Sequence, residues 1–237
     1  MKKIIIVAFA VLVLGLGYRF WNDKTVTSTQ QKTGTIVILN GPSASGKSSI
    51  QKEFTKLFSK PYLKIGIDNF FVGVLPEQFV IGPVPTPETP DDMVMKGVFS
   101  EDEQGPLFTL EVGPAGQRVI SGMNHAIAAY AAQGNDIIVD YIAYEQAWIK
   151  ELVHVLKDFE VYFVGVDVPL KVLEERERTR ATSPVGHARS HYDTVHSHGI
   201  YDFRVDTSLL SSAECAAKIK EYMQTHKPQA FKKLLSK

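Results

Sequence analysis

Residues 35–49 read TIVILNGPSASGKSS, and this stretch decides the fold. An apolar, β-branched run leads directly into residues 41–48, which match the phosphate-loop pattern G-x-x-x-x-G-K-[ST]. The next residues are apolar at the spacing of one helix face, at Ile50, Phe54, Leu57 and Phe58. Strand, glycine loop and helix in this order are the context that makes the motif credible. The sequence therefore predicts a site for a nucleoside triphosphate.

The loop has residue types that suit phosphate and Mg²⁺. Two glycines let the backbone wrap closely around phosphate oxygens, and the following helix adds the positive end of its dipole. Lys47 is expected to reach the β- and γ-phosphates, and the Ser48 hydroxyl to ligate Mg²⁺. We predict ATP and Mg²⁺ as cofactors. The predicted nucleotide-binding residues are Gly41, Pro42, Ser43, Ala44, Ser45, Gly46, Lys47, Ser48 and Ser49.

The composition is that of an ordinary globular protein. Of 237 residues, 44% are hydrophobic and 22% are charged. The chain has 26 Lys plus Arg residues and 26 Asp plus Glu residues. Its formal net charge is therefore zero, and the charge gives no sign of a nucleic-acid partner. The single cysteine, Cys215, excludes an intramolecular disulfide.

The N-terminus predicts contact with a membrane. Lys2 and Lys3 precede an uncharged stretch, residues 4–17, and three aromatic residues follow it by position 21. Residues 1–21 therefore fit either a cleaved secretory signal or an uncleaved membrane anchor. Residues 22–34 are predicted to be a polar linker. We expect a membrane-anchored or exported protein, with a domain that faces the cytoplasm as the alternative.

Beyond the linker, short apolar runs alternate with helical patterns, which predicts a three-layer α/β domain over residues 35–237 with a central parallel sheet. Ligands in such sheets bind at the carboxyl ends of the strands. The strands after the first are predicted at Tyr62–Asp68, Asp136–Asp140, Glu160–Val166 and Phe203–Val205. The helices after the first are predicted at Val119–Gln133, at Glu145–Lys157 and from Ser211, which opens a capping box with Glu214.

Residues 72–117 interrupt this alternation. They are rich in proline and glycine and are too long for a plain connection. Because they follow the second strand, they are predicted to shape the acceptor side of the site. The alternative is a mobile insertion without a role.

Two aspartates end predicted strands at the edge of the sheet that carries the phosphate loop. Asp68 is placed to accept the proton of an attacking hydroxyl, as a general base, or else to cap the following turn. Asp140 is placed to organise Mg²⁺, or else to hold the substrate.

A charged helical run at residues 174–180 and four histidines follow. Arg176 and Arg180 share one helix face. They are predicted to belong to a lid over residues 174–198 and to stabilise charge on the transferring phosphoryl group. The alternative is a charged helix face exposed to solvent. The four histidines, expected to be structural or to contact the substrate rather than to bind a metal, are His187, His191, His196 and His198.

Five stretches together resemble the chloramphenicol phosphotransferase-like family. In order they read IVILNGPSASGKSSI, KIGIDNFF, SGMNHAIAAYAAQGNDIIVDYI, VYFVGVDVPLKVLEERERTR and VHSHGIYDFRVDTS. The resemblance implies a nucleotide-kinase-like fold, ATP-dependent phosphorylation of a small-molecule hydroxyl and a role in antibiotic resistance. It also implies that Asp68 is the general base and that Arg176 and Arg180 are lid arginines. The N-terminal segment and the long 72–117 region depart from the family pattern, so the acceptor itself stays open.

Two alternative functions are kept. One is a kinase of a nucleotide-sugar or cell-envelope precursor, similar to zeta-type toxins. The other is a non-catalytic, nucleotide-dependent switch at a membrane. A base such as Asp68 argues against the switch, since nucleotide binding alone does not need one.

Overall fold

The computed structural model describes residues 32–75, 95–180 and 183–237, with a five-stranded parallel sheet at their centre. The strands are β1 (Ile36–Asn40), β2 (Tyr62–Gly66), β3 (Lys96–Asp102), β4 (Gly105–Glu111), β5 (Asp136–Tyr141), β6 (Val161–Asp167) and β7 (Phe203–Asp206). The central sheet has the order β2-β5-β1-β6-β7, while β3 and β4 form a separate antiparallel hairpin.

Helices cover both faces of the central sheet. They are α1 (Lys47–Thr55), α2 (Ile67–Phe71), α3 (Pro114–Ala132), α4 (Gln146–Val155), α5 (Leu170–Arg180), α6 (His187–Ser190), α7 (Ser212–Thr225) and α8 (Ala230–Leu235). Alternate residues of β1 point to opposite faces: Ile36 and Ile38 join the core with α3, α4 and α8, and Val37 and Leu39 join the core with α1 and α7. The three-layer α/β architecture predicted from the sequence is confirmed.

The predicted strands and helices are confirmed, with shifts at their ends. Helix α3 begins five residues before the predicted Val119, because Pro114 is well suited to the first turn of a helix. Helix α7 begins after Ser211, whose hydroxyl accepts a hydrogen bond from the Glu214 N–H. Strand β2 ends at Gly66, so Asp68 lies in the first turn of α2 and not in a strand. The Asn69 side chain accepts a hydrogen bond from the Gly66 N–H at 2.7 Å, which stabilises this early helix start.

The 72–117 region is more regular than its composition predicts. Residues 96–111 form the hairpin of β3 and β4, and α3 already begins at Pro114. Residues 76–94, which hold most of its prolines, lie outside the described residues. The proline content therefore misled the prediction of a long irregular segment, because the prolines cluster before the hairpin.

The predicted membrane-anchored or exported localisation is corrected. In residues 32–75, 95–180 and 183–237, no helix combines the length and the apolar character that crossing a bilayer requires. The segment on which the prediction rested, residues 1–21, lies outside the described residues, as does most of the linker.

Candidate active site

The phosphate loop connects β1 to α1 and packs against the end of β6. A Cβ at Gly41 would lie 2.5 Å from the Val166 carbonyl oxygen, so only glycine fits there. Gly46 has φ 95°, a left-handed conformation that side chains disfavour. Ala44 also adopts a left-handed conformation, with φ 60°. The loop geometry therefore depends on two glycines and on one residue held in an uncommon conformation.

Lys47 opens helix α1 and is almost fully buried. Its Nζ donates to the Pro42 carbonyl oxygen at 2.8 Å and lies 3.7 Å from Asp140 Oδ1. Burial lowers the pKa of this ammonium group, while the nearby carboxylates of Asp140 and Asp68 act in the opposite direction. The lysine side chain is thus desolvated and fixed inside the loop beside a carboxylate.

Ser48 and the two predicted carboxylates come together at the edge of the sheet. The Ser48 hydroxyl donates to Asp140 Oδ2 at 2.5 Å. Gly66 pairs with Asp140 across β2 and β5, which brings the start of α2 and its Asp68 to the same edge. Asp68 is open to the cavity, and partial desolvation there raises its pKa, as does the neighbouring Asp140, whereas Lys47 lowers it. Hydroxyl and carboxylate oxygens are the ligands that Mg²⁺ prefers.

These residues line one cavity of about 540 Å³. Its polar lining comes from the phosphate loop, the strand ends and the helices that follow them, and includes Ser43, Lys47, Ser48, Asp68, Asp140, Tyr144, Arg180 and His187. Its apolar lining comes mainly from α2 and the hairpin, and includes Ile67, Phe71, Val72, Met95, Phe99, Phe108 and Leu110. The cavity therefore has the phosphate loop at one end and an apolar, aromatic wall on another side.

The two predicted lid arginines have different surroundings. Arg180, at the end of α5, lines the cavity. Arg176 instead donates to Thr207 Oγ1 at 2.9 Å and to the Thr207 carbonyl oxygen at 2.6 Å. Thr207 Oγ1 in turn donates to the Ser45 carbonyl oxygen at 2.8 Å. Arg176 is therefore linked to the phosphate loop through Thr207.

Two of the four histidines belong to the cavity region. His187 Nε2 is hydrogen-bonded to the Tyr144 hydroxyl at 3.1 Å, and burial lowers the pKa of His187 to about 4. His191 Nε2 accepts a hydrogen bond from the Ser43 N–H at 3.0 Å. Both rings pack against Tyr144. These two histidines are neutral and take part in packing and hydrogen bonding.

The other two histidines lie behind the loop. His196 and His198 are both hydrogen-bonded to the Tyr201 hydroxyl, at 2.6 and 3.0 Å. Asn40 Nδ2 donates to the same hydroxyl at 2.7 Å. Asn40 is the last residue of β1, so this buried cluster supports the point at which the phosphate loop begins.

Sequence reasoning missed several residues of the site. Tyr144 follows the end of β5, and the argument that selected Asp140 could have found it. Glu177 is buried and accepts hydrogen bonds from the N–H groups of Gly186 and Ala188 at 2.8 and 2.7 Å. Its position amid a charged run gave no signal of burial. Thr207 and Arg189 likewise act through contacts with residues far away in the chain.

A sequence profile described as chloramphenicol phosphotransferase-like protein matches residues 34–224. The chain belongs to the chloramphenicol phosphotransferase-like family. A Mycobacterium tuberculosis relative of this family member, provisionally named as an O-phosphotransferase, is 30% identical over 203 residues, which cover 85% of this chain and 88% of the relative. This chloramphenicol phosphotransferase-like chain is therefore an enzyme: a nucleotide-binding phosphotransferase that acts on a hydroxyl of a small molecule.

Solved structures similar to this family member include kinases and a resistance protein. The APS kinase CysC of Mycobacterium tuberculosis, in complex with AMPPNP and APS, has a TM-score of 0.56 at 16% identity and covers 81% of this chain and 99% of its own. The tunicamycin resistance protein of Deinococcus radiodurans has a TM-score of 0.54 at 18% identity, with coverages of 82% and 98%. Shikimate kinase from Acinetobacter baumannii, in complex with shikimate, has a TM-score of 0.52 at 13% identity, with coverages of 84% and 97%. These likenesses show a P-loop kinase fold.

Proposed function

We propose that this enzyme transfers the γ-phosphoryl group of Mg·ATP to a hydroxyl of an acceptor with an apolar, ring-bearing body. The observation that carries the proposal is that Lys47, Asp140 and Asp68 line the same cavity as the aromatic wall of the hairpin. Catalysis of phosphoryl transfer requires mainly that the protein position the two substrates and stabilise negative charge on the phosphates. These few groups are therefore sufficient for the reaction.

Asp68 is the proposed general base. The acceptor hydroxyl gives its proton to the Asp68 carboxylate while its oxygen bonds to the γ-phosphorus of ATP. The bond between that phosphorus and the β–γ bridging oxygen breaks, which yields ADP and a phosphate monoester. Partial desolvation and the neighbouring Asp140 raise the pKa of Asp68, and a higher pKa makes its carboxylate a stronger base.

The residues around Ser48 fit Mg²⁺. Ser48 Oγ and the Asp140 carboxylate are two oxygen donors already in contact, and both line the cavity. When bound, Mg²⁺ would neutralise charge on the phosphates. Lys47 supplies a second, fixed positive charge, and its hydrogen bond to Pro42 holds it against the loop.

Arg180 is proposed to stabilise negative charge on the transferring group, because it reaches the cavity from the end of α5. For Arg176 we propose an indirect contribution. Its bonds to Thr207, which holds the Ser45 carbonyl, support the shape of the phosphate loop. The two arginines thus act on the same reaction from different positions.

The acceptor is inferred from the wall opposite the phosphate loop. Phe71, Phe99 and Phe108 offer aromatic surface, and Tyr144 and His187 add polar atoms. Such a wall suits a molecule with a ring and a hydroxyl better than a nucleotide-sugar, whose many polar groups would remain unpaired there. Chloramphenicol, which gives the family its name, is one molecule of this class, and its phosphorylation would give the enzyme a role in antibiotic resistance.

The test is an acceptor screen with the full chain, ATP and MgCl₂, in which mass spectrometry detects a phosphorylated product. Chloramphenicol and other aromatic alcohols form one arm; sugars and nucleotide-sugars form the other. We expect product in the aromatic arm and none with the Asp68→Asn variant. Product confined to the sugar arm would refute the acceptor class, and ADP formation without any phosphorylated acceptor would refute the proposal as a whole.

A further inference from the structure

A hydrogen bond joins the phosphate loop to His191, the residue after helix α6, across 148 residues: the Ser43 N–H donates to His191 Nε2 at 3.0 Å. Because a backbone N–H can only donate, Nε2 must be unprotonated and the ring proton must reside on Nδ1. Nδ1 lies 3.4 Å from the Ser190 hydroxyl oxygen, which can accept it. Burial lowers the pKa of His191 well below its ordinary value, so the ring stays neutral.

The His191 ring is fixed from several sides. Its exposed fraction is 4%. It packs edge-on against Tyr144, with ring centroids 4.7 Å apart, and lies 5.0 Å from the His187 ring. The His191 carbonyl oxygen accepts a hydrogen bond from the Val195 N–H at 3.0 Å. The acceptor atom for Ser43 is therefore held at a defined place.

Helix α6, which ends beside His191, is itself anchored away from the phosphate loop. The buried Glu177 carboxylate of α5 accepts from Gly186 and Ala188 at the start of α6. Arg189 binds the hairpin through the Asp102 carboxylate and the Gly105 carbonyl oxygen. The contact with Ser43 thus comes from a rigid support and not from a free surface side chain.

The phosphate loop needs such a support beside Ser43. The next residue, Ala44, has φ 60°, which residues other than glycine rarely adopt and which persists only when neighbouring contacts hold it. The Ser45 N–H closes a turn onto the Pro42 carbonyl oxygen at 3.2 Å, on the far side of Ala44. The bond to His191 fixes the near side.

We propose that His191 is a positioning residue for nucleotide binding, which holds the first half of the phosphate loop, through the Ser43 N–H, in the shape that receives the phosphates. The inference rests on the proposed function in that ATP is taken as the ligand of this loop. His191 touches no phosphate itself; it acts through Ser43 and Ala44.

The test compares His191→Leu, which removes the acceptor atom, with His191→Gln, whose side-chain oxygen can take the place of Nε2. Isothermal titration of the full chain with Mg·ATP, without an acceptor, should show about tenfold weaker binding for the leucine variant, a typical effect of one lost hydrogen bond. The glutamine variant should bind within about threefold of wild type. In steady-state kinetics with an acceptor that the screen has identified, KM for ATP should rise more in the leucine variant than kcat falls. His125→Leu, an exposed histidine of α3, is the matched control.

Wild-type affinity in the leucine variant, or equal weakening in both folded variants, would overturn the inference. If the two variants bind ATP as expected while the wild-type chain phosphorylates no acceptor, that result would refute the proposed function and leave the role of His191 in ATP binding intact. If the leucine variant does not fold, NMR of the wild-type chain decides. We expect a scalar coupling through the hydrogen bond between the Ser43 amide nitrogen and His191 Nε2; a protonated Nε2 would contradict the proposal.

Discussion

Ser48 and Asp140 share a hydrogen bond of 2.5 Å although 92 residues separate them in the chain. The bond crosses from the first turn of α1 to the end of β5, so it joins the phosphate loop to the carboxylate strand. Lys47 lies on the other oxygen of the same carboxylate, at 3.7 Å. Asp140 therefore contacts both Lys47, which is expected to bind the phosphates, and Ser48, which is expected to bind Mg²⁺.

The first prediction follows from this link. Asp140→Asn keeps the size of the side chain and removes its charge, so the Mg²⁺ concentration for half-maximal activity should rise about tenfold or more. A Mg²⁺ titration of phosphoryl transfer measures this. Asp136→Asn, at the other end of β5, is the matched control, and an equal shift in the control would contradict the assignment.

Lys47→Met should lower the rate of phosphoryl transfer by about 10³-fold, because the fixed positive charge inside the loop is lost while the apolar stem is kept. Lys52→Met, on the exposed face of the same helix, should leave activity unchanged. Initial rates at saturating ATP give the comparison, and circular dichroism checks the fold. Activity within threefold of wild type in Lys47→Met would contradict the predicted role.

Asp68→Asn should lower turnover by about 10² or more, since an amide cannot accept the proton of the acceptor, while ATP binding survives. In the wild type, kcat/KM should fall as the pH is lowered through the raised pKa of Asp68, because the protonated carboxyl cannot accept the proton of the acceptor. That acid limb should be missing from the residual activity of the variant. An unchanged acid limb would assign the base to another group.

The same carboxylate predicts an opposite effect on stability. The folded state binds the Asp68 proton more tightly than the unfolded state does, so folding stability decreases as the pH rises from the ordinary carboxyl pKa through the raised one. At neutral pH, Asp68→Asn should therefore raise Tm while it removes activity. A calorimetric scan measures Tm, and a lower Tm in the variant would contradict the sign.

Thr207→Val should raise KM for ATP several-fold, because it removes the hydroxyl that connects Arg176 to the Ser45 carbonyl oxygen. Thr207→Ser keeps the hydroxyl and should stay close to wild type. Steady-state kinetics with varied ATP distinguish the two variants. Equal KM values would mean that this contact does not shape the loop.

Arg189 should control the order of the hairpin. Its guanidinium donates to both Asp102 oxygens and to the carbonyl oxygens of Gly105 and Pro106, at 2.7 to 2.9 Å. Lysine cannot reproduce this fork, so Arg189→Lys should speed amide hydrogen exchange in residues 96–111 by about tenfold and leave α1 unchanged. Arg178→Lys, exposed on α5, is the control; unchanged hairpin exchange in Arg189→Lys would refute the anchor.

The sequence predicted the parts of the site that local patterns encode. Residues 41–48 form a continuous motif, and Asp68 and Asp140 follow apolar runs whose ends meet in a parallel sheet. The partners of Arg176 and His191 were not predictable, because Thr207 and Ser43 are linked to them only through tertiary packing. The hairpin was missed for a different reason: the prolines before it hid the alternation of apolar and polar residues in β4, at Phe108, Thr109, Leu110 and Glu111.

The hairpin of β3 and β4 forms a sheet of its own, yet it contributes Phe99, Phe108 and Leu110 to the cavity. The groups proposed to move the phosphoryl group come from the other sheet and its helices. Because the hairpin forms the proposed acceptor wall, substitutions in it should change which alcohol is accepted, while the groups proposed to act on ATP stay in place.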